Sequence, residues 1–379
     1  MIVNFDNAAT TFPKPIAVKN AVISAMEQLT SPGRGGHPLG LKTSEMVYSA
    51  REAAADFFGA EPENVVFALN CTHALNLAIQ GIMKNGGHLI ISGMEHNSAA
   101  RPAAELAKSG KIKLSAAEIF PEKEKTVESF RRLIRSDTKA IVCTIASNVT
   151  GQIMPIKELG RLCKARNIAF ITDAAQASGI IDVNLSQGMN IICTAGPKGL
   201  YGITGTGMLI SDGKFPIYPI IQGGTGSGSQ RLEQPTLLPE ALESGTVGAV
   251  GIMSMKAGME FVRKIGIDRI FSHEDRICRR FIAELSHNPK ITIYREKSVE
   301  YVPIVSFTVE GKPSERVAAE LAKEGFCLRA GYHCAALAHS SLGTKDGTVR
   351  FSPSVFSREE DAVALARLIN SRQHGTIRH

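Results

Sequence analysis

Paired cysteines are missing: the 379-residue chain carries seven, dispersed, with no CxxC pair and no Cys/His cluster at ligand spacing. A structural zinc site has no basis in such a pattern, and no metal is expected. An odd number of scattered thiols fits a reducing compartment better than a disulfide framework. The opening residues, Met1 to Asn7, show no basic segment followed by an apolar run, so no secretory leader is expected. No apolar run approaches the ~20 residues that span a bilayer, so the expectation is a cytoplasmic protein with no membrane partner. Positive charge is in excess, at a net +7, but it is scattered. The densest cluster, Arg276, Arg279 and Arg280, lies among apolar residues at helical spacing and reads as a solvated helix face. No basic patch interleaved with aromatics exists, so nucleic acid is not expected either. An enzyme with anionic ligands accounts for the mild basicity.

What is present is an alternation. Short apolar runs at 65–69, 88–92, 112–119, 139–145, 168–172, 190–194 and 207–211 read as strands, and helical patterns separate most of them. Continuous apolar strands alternating with helices indicate a mostly parallel, seven-stranded α/β sheet covered on both faces. Helices are expected at about 16–28, 44–58 and 72–83, with a long helical stretch over 250–286. Residues 4–15 read as an irregular lead-in and 216–247 as a glycine-rich loop. The C-terminal part reads as a smaller α+β unit with strands at 304–309, 326–329 and 348–351. The expected division is a large domain over 15–255 and a small one over 1–14 and 256–379.

Ligands of such sheets bind beyond the carboxyl ends of the strands, and chemistry-bearing residues gather at those ends. Glu95-His96-Asn97 follows the run at 88–92, Ser147-Asn148 the run at 139–145, and Asp173-Ala174-Ala175-Gln176 the run at 168–172. Lys198 follows the run at 190–194, within a stretch of small residues. Each has a bland reading, since aspartate caps helices and histidine packs or caps. A lysine in a glycine-rich turn is by itself weak evidence. Four of them at successive strand ends outweigh those readings. In the small unit, Leu328-Arg329-Ala330-Gly331-Tyr332-His333-Cys334 places one cysteine in a loop, where an exposed thiolate suits nucleophilic chemistry. Arg350 offers a planar fork for a carboxylate.

The set Glu95-His96, Asp173, Gln176, Lys198, Arg329-Ala330-Gly331-Tyr332-His333-Cys334 and Arg350 resembles the cysteine desulfurases. These are class-V aminotransferase-like enzymes of pyridoxal-phosphate fold type I. The likeness runs from Asp6-Asn7-Ala8-Ala9-Thr10 to Arg350, and the short Cys334–Arg350 spacing is similar to the group II branch of Suf-type desulfurases and selenocysteine lyases. The resemblance implies pyridoxal 5'-phosphate bound to Lys198, with Asp173 on the ring nitrogen and Gln176 on the phenolic oxygen. His96 would stack on the ring, and Thr72 would hold the phosphate at a helix start. It further implies Asn148 and Arg350 on the substrate carboxylate and Cys334 as the thiol that takes sulfur from L-cysteine as a persulfide, leaving alanine. Arg34 and His37 would stand near the substrate entrance. Thr246 would reach the phosphate of a second subunit, implying a homodimer, and a sulfur-acceptor protein is a possible further partner. One departure is local: Ala195-Gly196-Pro197 replaces the usual Ser or Thr followed by Gly-His, leaving Thr194 as the neighbouring hydroxyl.

Three other readings stand beside this one: a selenocysteine lyase, a C–S lyase on cystine-like substrates, and a non-catalytic binding or scaffold protein of the same fold. A dinucleotide-binding dehydrogenase fits poorly, because Gly202-Ile203-Thr204-Gly205-Thr206-Gly207 precedes a strand rather than opening a helix.

Overall fold

The computed structural model describes residues 2–32, 36–226 and 230–371. The chain opens with a short strand, β1 (Val3–Asn4), and two helices, α1 (Ile16–Gln28) and α2 (Pro38–Phe58). Strands and helices then alternate: β2 (Val65–Ala68), α3 (Cys71–Ile82), β3 (Gly87–Ser92), α4 (Asn97–Lys108) and β4 (Ile112–Ala117). They continue through α5 (Lys123–Leu133), β5 (Thr138–Thr144), α6 (Ile156–Arg166), β6 (Ala169–Asp173), β7 (Ile191–Ala195) and β8 (Gly207–Ser211). These seven strands form one sheet in the order β2-β8-β7-β6-β5-β3-β4, parallel except that β8 runs against both neighbours.

The apolar runs have a direct cause. Side chains of a strand alternate between faces, and here both faces are covered. Ile141, Phe170, Ile192 and Met208 pack into one core with α2, α6 and α7 (Ala249–Ile265). Val142, Ile171, Ile191 and Leu209 pack into the other with α3 and α4. Neither face is polar, so no alternation survives in the sequence.

A second, antiparallel sheet has the order β12-β13-β10-β9, built from β9 (Ile291–Ile293), β10 (Val305–Val309), β12 (Arg329–Gly331) and β13 (Thr348–Phe351). Around it lie α8 (Ile267–Leu285), α9 (Ser314–Lys323) and α11 (Glu359–Ser371), with Phe281 and Phe351 stacked at 4.1 Å, whereas α10 (Ala336–Leu342) packs Ala338 into a core of the large sheet. Between α9 and β12, β11 (Phe326–Cys327) pairs in parallel with β1, Val3 opposite Phe326.

The structure departs from the sequence reading in several places. The lead-in at 4–15 is irregular beyond Asn4, but Val3 and Asn4 form β1, which the sequence reading lacked, in a pairing that spans more than 300 residues. Helix α2 starts at Pro38 rather than 44, because proline suits the first helical position and His37 caps it, its Nδ1 accepting from Gly40 N at 3.2 Å. The long helix of 250–286 is two helices, broken at Gly266, whose φ of 95° lies outside the helical range. Residues 326–329 are two short strands rather than one, and the loop after Cys334 contains α10. Arg34 falls outside the described residues. Among those described, no helix is long and apolar enough to cross a membrane, and no His/Cys/Asp/Glu group could hold a metal.

Candidate active site

The carboxyl ends of β5, β6 and β7, with the start of α3, enclose a cleft of about 160 Å³. Thr72, His96, Asn148, Asp173, Gln176 and Lys198 all line it. Lys198 sits on the turn that reverses β7 into β8. Desolvation holds its amine below the usual lysine range, with Arg350 and Arg329 adding to the effect against Asp173 and Cys71. A lysine so placed carries more of the neutral, nucleophilic amine than a solvated one. Across the cleft, Asp173 is buried at the end of β6, and its Oδ1 accepts from Ala175 N (2.8 Å) and from Cys71 Sγ (3.4 Å). Its Oδ2 has no protein donor. Gln176 Nε2 donates to Ala8 O at 3.0 Å.

His96 caps α4. Its Nδ1 accepts from Ser98 N (3.1 Å) and lies 2.7 Å from Ser98 Oγ, which is 2.7 Å from Thr72 Oγ1. An Nδ1 that accepts a backbone N–H is unprotonated, so the neutral ring carries its hydrogen on Nε2. Burial lowers the His96 pKa, and Lys198, Arg329 and Arg350 reinforce this against Asp173, so the ring is neutral at pH 7. Immediately before it, Glu95 is fully buried. Its Oε1 accepts from Ser92 Oγ (2.5 Å) and Thr144 N (2.7 Å), while Oε2 has no partner. Desolvation, helped by Asp173, pushes this carboxyl up to about 8, so it stays mostly protonated at neutral pH.

His96, Thr72 and Ser98 also line a second groove, between α3 and α4, and Cys334 stands at its edge. Cys334 is exposed, whereas Cys71, Cys143, Cys163, Cys193 and Cys278 are buried and Cys327 is half-buried. Its loop is tight rather than long. His333 and Cys334 both take left-handed conformations (φ 47° and 56°), and Ala335 N bonds Tyr332 O at 2.9 Å. Asn97 N donates to Cys334 O (2.7 Å) and Asn148 Nδ2 to His333 O (2.7 Å), fastening the loop to the large sheet's rim. Arg329 Nη2 points at Cys334 Sγ from 3.9 Å, and Arg329 pairs across the sheet with Arg350.

Arg350 is fully buried. Nη1 donates to Asn148 O (2.9 Å) and Nη2 to Asp6 Oδ1 (3.0 Å), while Nε has no partner. Five N–H donors on a guanidinium leave three after these two bonds. Asn148 Oδ1 is likewise buried and unpartnered. The first residues of the chain complete this region: Thr11 N and Oγ1, Thr10 Oγ1 and Lys14 Nζ all converge on Pro197 O, at 2.9 to 3.2 Å.

The remaining candidates lie elsewhere. Thr246 and His37 line a separate cleft with Arg51 and Glu243, away from Lys198 of the same chain. Glu243, three residues before Thr246, is clamped by Arg51 through two bonds of 2.8 and 2.9 Å and accepts from Phe67 N. Thr194 does not serve the cleft: its hydroxyl donates to Ser178 Oγ at 2.8 Å within the core. The hydroxyls that do face the cleft are those of Thr72 and Ser98. Ser98 is the site residue that motif reading passed over, with only its place two residues after His96 to mark it, while Arg329 was read as part of the Cys334 motif without a role of its own.

Pyridoxal phosphate fits the residues present. An acceptor oxygen on Asp173 is open to a ring nitrogen, and a low-pKa amine stands opposite. At the start of α3 the amides of His73 and Ala74 are taken by Asn70, whereas those of Cys71 and Thr72 have no protein acceptor. Free first-turn amides beside a hydroxyl pair suit a phosphate. Gly207 lets β8 pass against this turn, since a Cβ there would lie 2.5 Å from Asn70 C. The cup has no cationic side chain where Ala195 and Pro197 form its wall.

A family model described as aminotransferase class-V matches residues 3–365. A "Probable cysteine desulfurase" of Pyrococcus abyssi is 30% identical over 378 residues, covering 95% of this chain and 91% of that protein. A protein of the same description from Methanothermobacter thermautotrophicus is 28% identical over 376 residues, with 96% and 93% covered. The solved apo structure of a cysteine desulfurase from Thermococcus onnurineus NA1 superposes with a TM-score of 0.92 at 28% identity, covering 99% of this chain and 95% of that one.

Proposed function

The chain belongs to the class-V aminotransferase family, and on that premise we propose that it is a pyridoxal-phosphate-dependent cysteine desulfurase with Cys334 as the sulfur-accepting thiol. One observation carries the assignment of Cys334: the exposed thiol and the Lys198 cleft open on the two sides of His96.

Bound on Lys198, pyridoxal phosphate supplies a conjugated ring that withdraws electrons from the substrate's α-carbon. Asp173 would hold the ring nitrogen through Oδ2, and the amides of Cys71 and Thr72, with the Thr72 and Ser98 hydroxyls, would hold the phosphate. Arg350 and Asn148 orient the substrate carboxylate, and Arg329 steadies the Cys334 thiolate. Once the substrate's amino group has taken its place on the cofactor, the freed, desolvated Lys198 amine would take the proton from Cα. Cys334 Sγ then bonds the substrate sulfur as the Cβ–S bond breaks, and the electron pair of that bond stays with the carbon skeleton. Two protons complete alanine: Lys198 returns to Cα the one it took, and the proton given up by the substrate thiol supplies Cβ. The product on the protein is a persulfide, which a thiol-bearing acceptor protein takes from the exposed Cys334.

We also propose a homodimer. In support, Thr246 and His37 share a cleft that lacks Lys198, and Ile23, Met26, Leu39 and Leu41 are exposed apolar residues on α1 and at the start of α2. Seven free cysteines and a mechanism that needs a reduced thiol support a cytoplasmic setting.

The test is alanine and sulfide release from L-cysteine with reductant, using the parent, Cys334→Ala and Lys198→Ala. The parent should give alanine and both variants should lose it. Alanine production that survives Cys334→Ala, or pyruvate in place of alanine, refutes the assignment.

A further inference from the structure

Lys198 also lines a second, small cavity of about 30 Å³, to which Asp173 does not contribute. Gln176, Tyr201, Glu274, Ile304 and Ser352 share its walls. Tyr201 is three residues beyond Lys198, fully buried, with a left-handed φ of 55°. Bulky side chains rarely adopt that conformation, and where they do the surroundings must hold it. Here the constraint is visible. Tyr201 N donates to Lys198 O at 2.9 Å, closing the turn that carries the lysine. The phenol ring meets Phe261 and Phe356 edge-on, at 5.2 and 6.1 Å. Its hydroxyl accepts from Val355 N at 3.2 Å and donates to Glu274 Oε1 across a long 3.4 Å. Glu274 is on α8, and Val355 lies just past the strand that bears Arg350. Three segments from different parts of the chain therefore meet at one hydroxyl directly behind Lys198.

We propose that Tyr201 is a positioning residue for Lys198, its hydroxyl latched between Glu274 and Val355 so that the strained turn holds the amine in register with the Arg350 strand. The proposal rests on the reading of Lys198 as the cofactor lysine. Glu274 acts in it as a neutral acid: burial pushes its carboxyl up to about 8. The other titratable groups around it are Lys198 across the cavity, Cys278 one turn along α8, and His273, whose Nε2 bonds Ser357 O at 3.0 Å.

The experiment compares the pyridoxal-phosphate-loaded parent with Tyr201→Phe, Glu274→Leu and Glu274→Gln. Visible absorbance is titrated against pH to follow the lysine-bound chromophore, and kcat and KM for L-cysteine are measured separately. Tyr201→Phe and Glu274→Leu should shift the midpoint of the titration by roughly half a unit or more. They should also lower kcat by about tenfold, with KM within about twofold, as expected for a misplaced reacting group. Glu274→Gln keeps an acceptor oxygen and should restore both readouts to near parental values. A Tyr201→Phe protein with unchanged midpoint and kcat overturns the proposal, as does a Glu274→Gln protein as impaired as Glu274→Leu. Should the parent form no alanine, the desulfurase reading fails, while the titration still reports on the latch.

Discussion

Glu95→Gln isolates the energetic consequence of a buried acid next to His96. In the unfolded chain the carboxyl ionises near 4.5, whereas in the folded protein it holds its proton to about 8. Between those values the unfolded state binds fewer protons than the folded one, so unfolding becomes easier as pH rises. Each unit of pH in that window is worth about 1.4 kcal/mol, which makes about 4 kcal/mol between pH 5 and pH 8. Glutamine does not titrate. Its oxygen can accept from Ser92 Oγ and Thr144 N as Oε1 does, while its NH2 occupies the unpartnered place of Oε2. That buried amide costs about 1–3 kcal/mol at every pH, an offset without slope. Urea unfolding of both proteins at pH 5, 6.5 and 8 should therefore show the variant weaker than the parent at pH 5. By pH 8 the difference should close or reverse, and it should have moved by about 4 kcal/mol across the range. A difference constant to within about 1 kcal/mol from pH 5 to 8 would mean that Glu95 is ionised in the folded protein, and the argument would fall.

Two further outcomes follow from the geometry. Gly207→Ala puts a Cβ 2.5 Å from Asn70 C, so the first turn of α3 must move; pyridoxal phosphate retained after gel filtration should fall at least about tenfold, the free-energy equivalent of roughly 1.4 kcal/mol, and full retention would contradict the phosphate cup described. In the folded protein, a short iodoacetamide pulse read by mass spectrometry should modify Cys334 first and Cys327 more slowly. The five buried thiols should react only after unfolding, because burial raises their pKa values; early labelling of Cys143 or Cys193 would contradict the core as drawn.

The large sheet was readable in the sequence because β3, β5, β6 and β7 are covered on both faces and so appear as unbroken apolar runs. Elements whose stability comes from distant partners were not. Strand β1 is two residues long and exists because Phe326 and Cys327 lie beside it. Strand β9 is half-exposed and leaves no run. Proline at position 38 looks like the end of a loop unless the capping role of His37 is seen. Lys198, Asp173, His96 and Cys334 were legible from their places at strand ends or in a loop. Their supports were not, since Ser98 and Glu274 look like ordinary helix residues in a linear reading, and nothing in the motif around Cys334 tells what Arg329 faces. Thr194 was the reverse case, a hydroxyl at the right distance along the chain but on the wrong face of its strand, bonded to Ser178.

The convergence of the first residues on Pro197 O and Arg350 has a consequence in time. Val3 and Asn4 wait for Phe326 and Cys327, and Asp6 waits for Arg350. At a synthesis rate of 5–20 residues per second, the N-terminal segment spends roughly 20–70 s without its partners. During that interval the large sheet can already be complete, yet Arg350, proposed above for the substrate carboxylate, does not exist. The proposed site is thus incomplete until Arg350 has emerged, and a bulky fusion ahead of β1 would burden a segment that finds its place late.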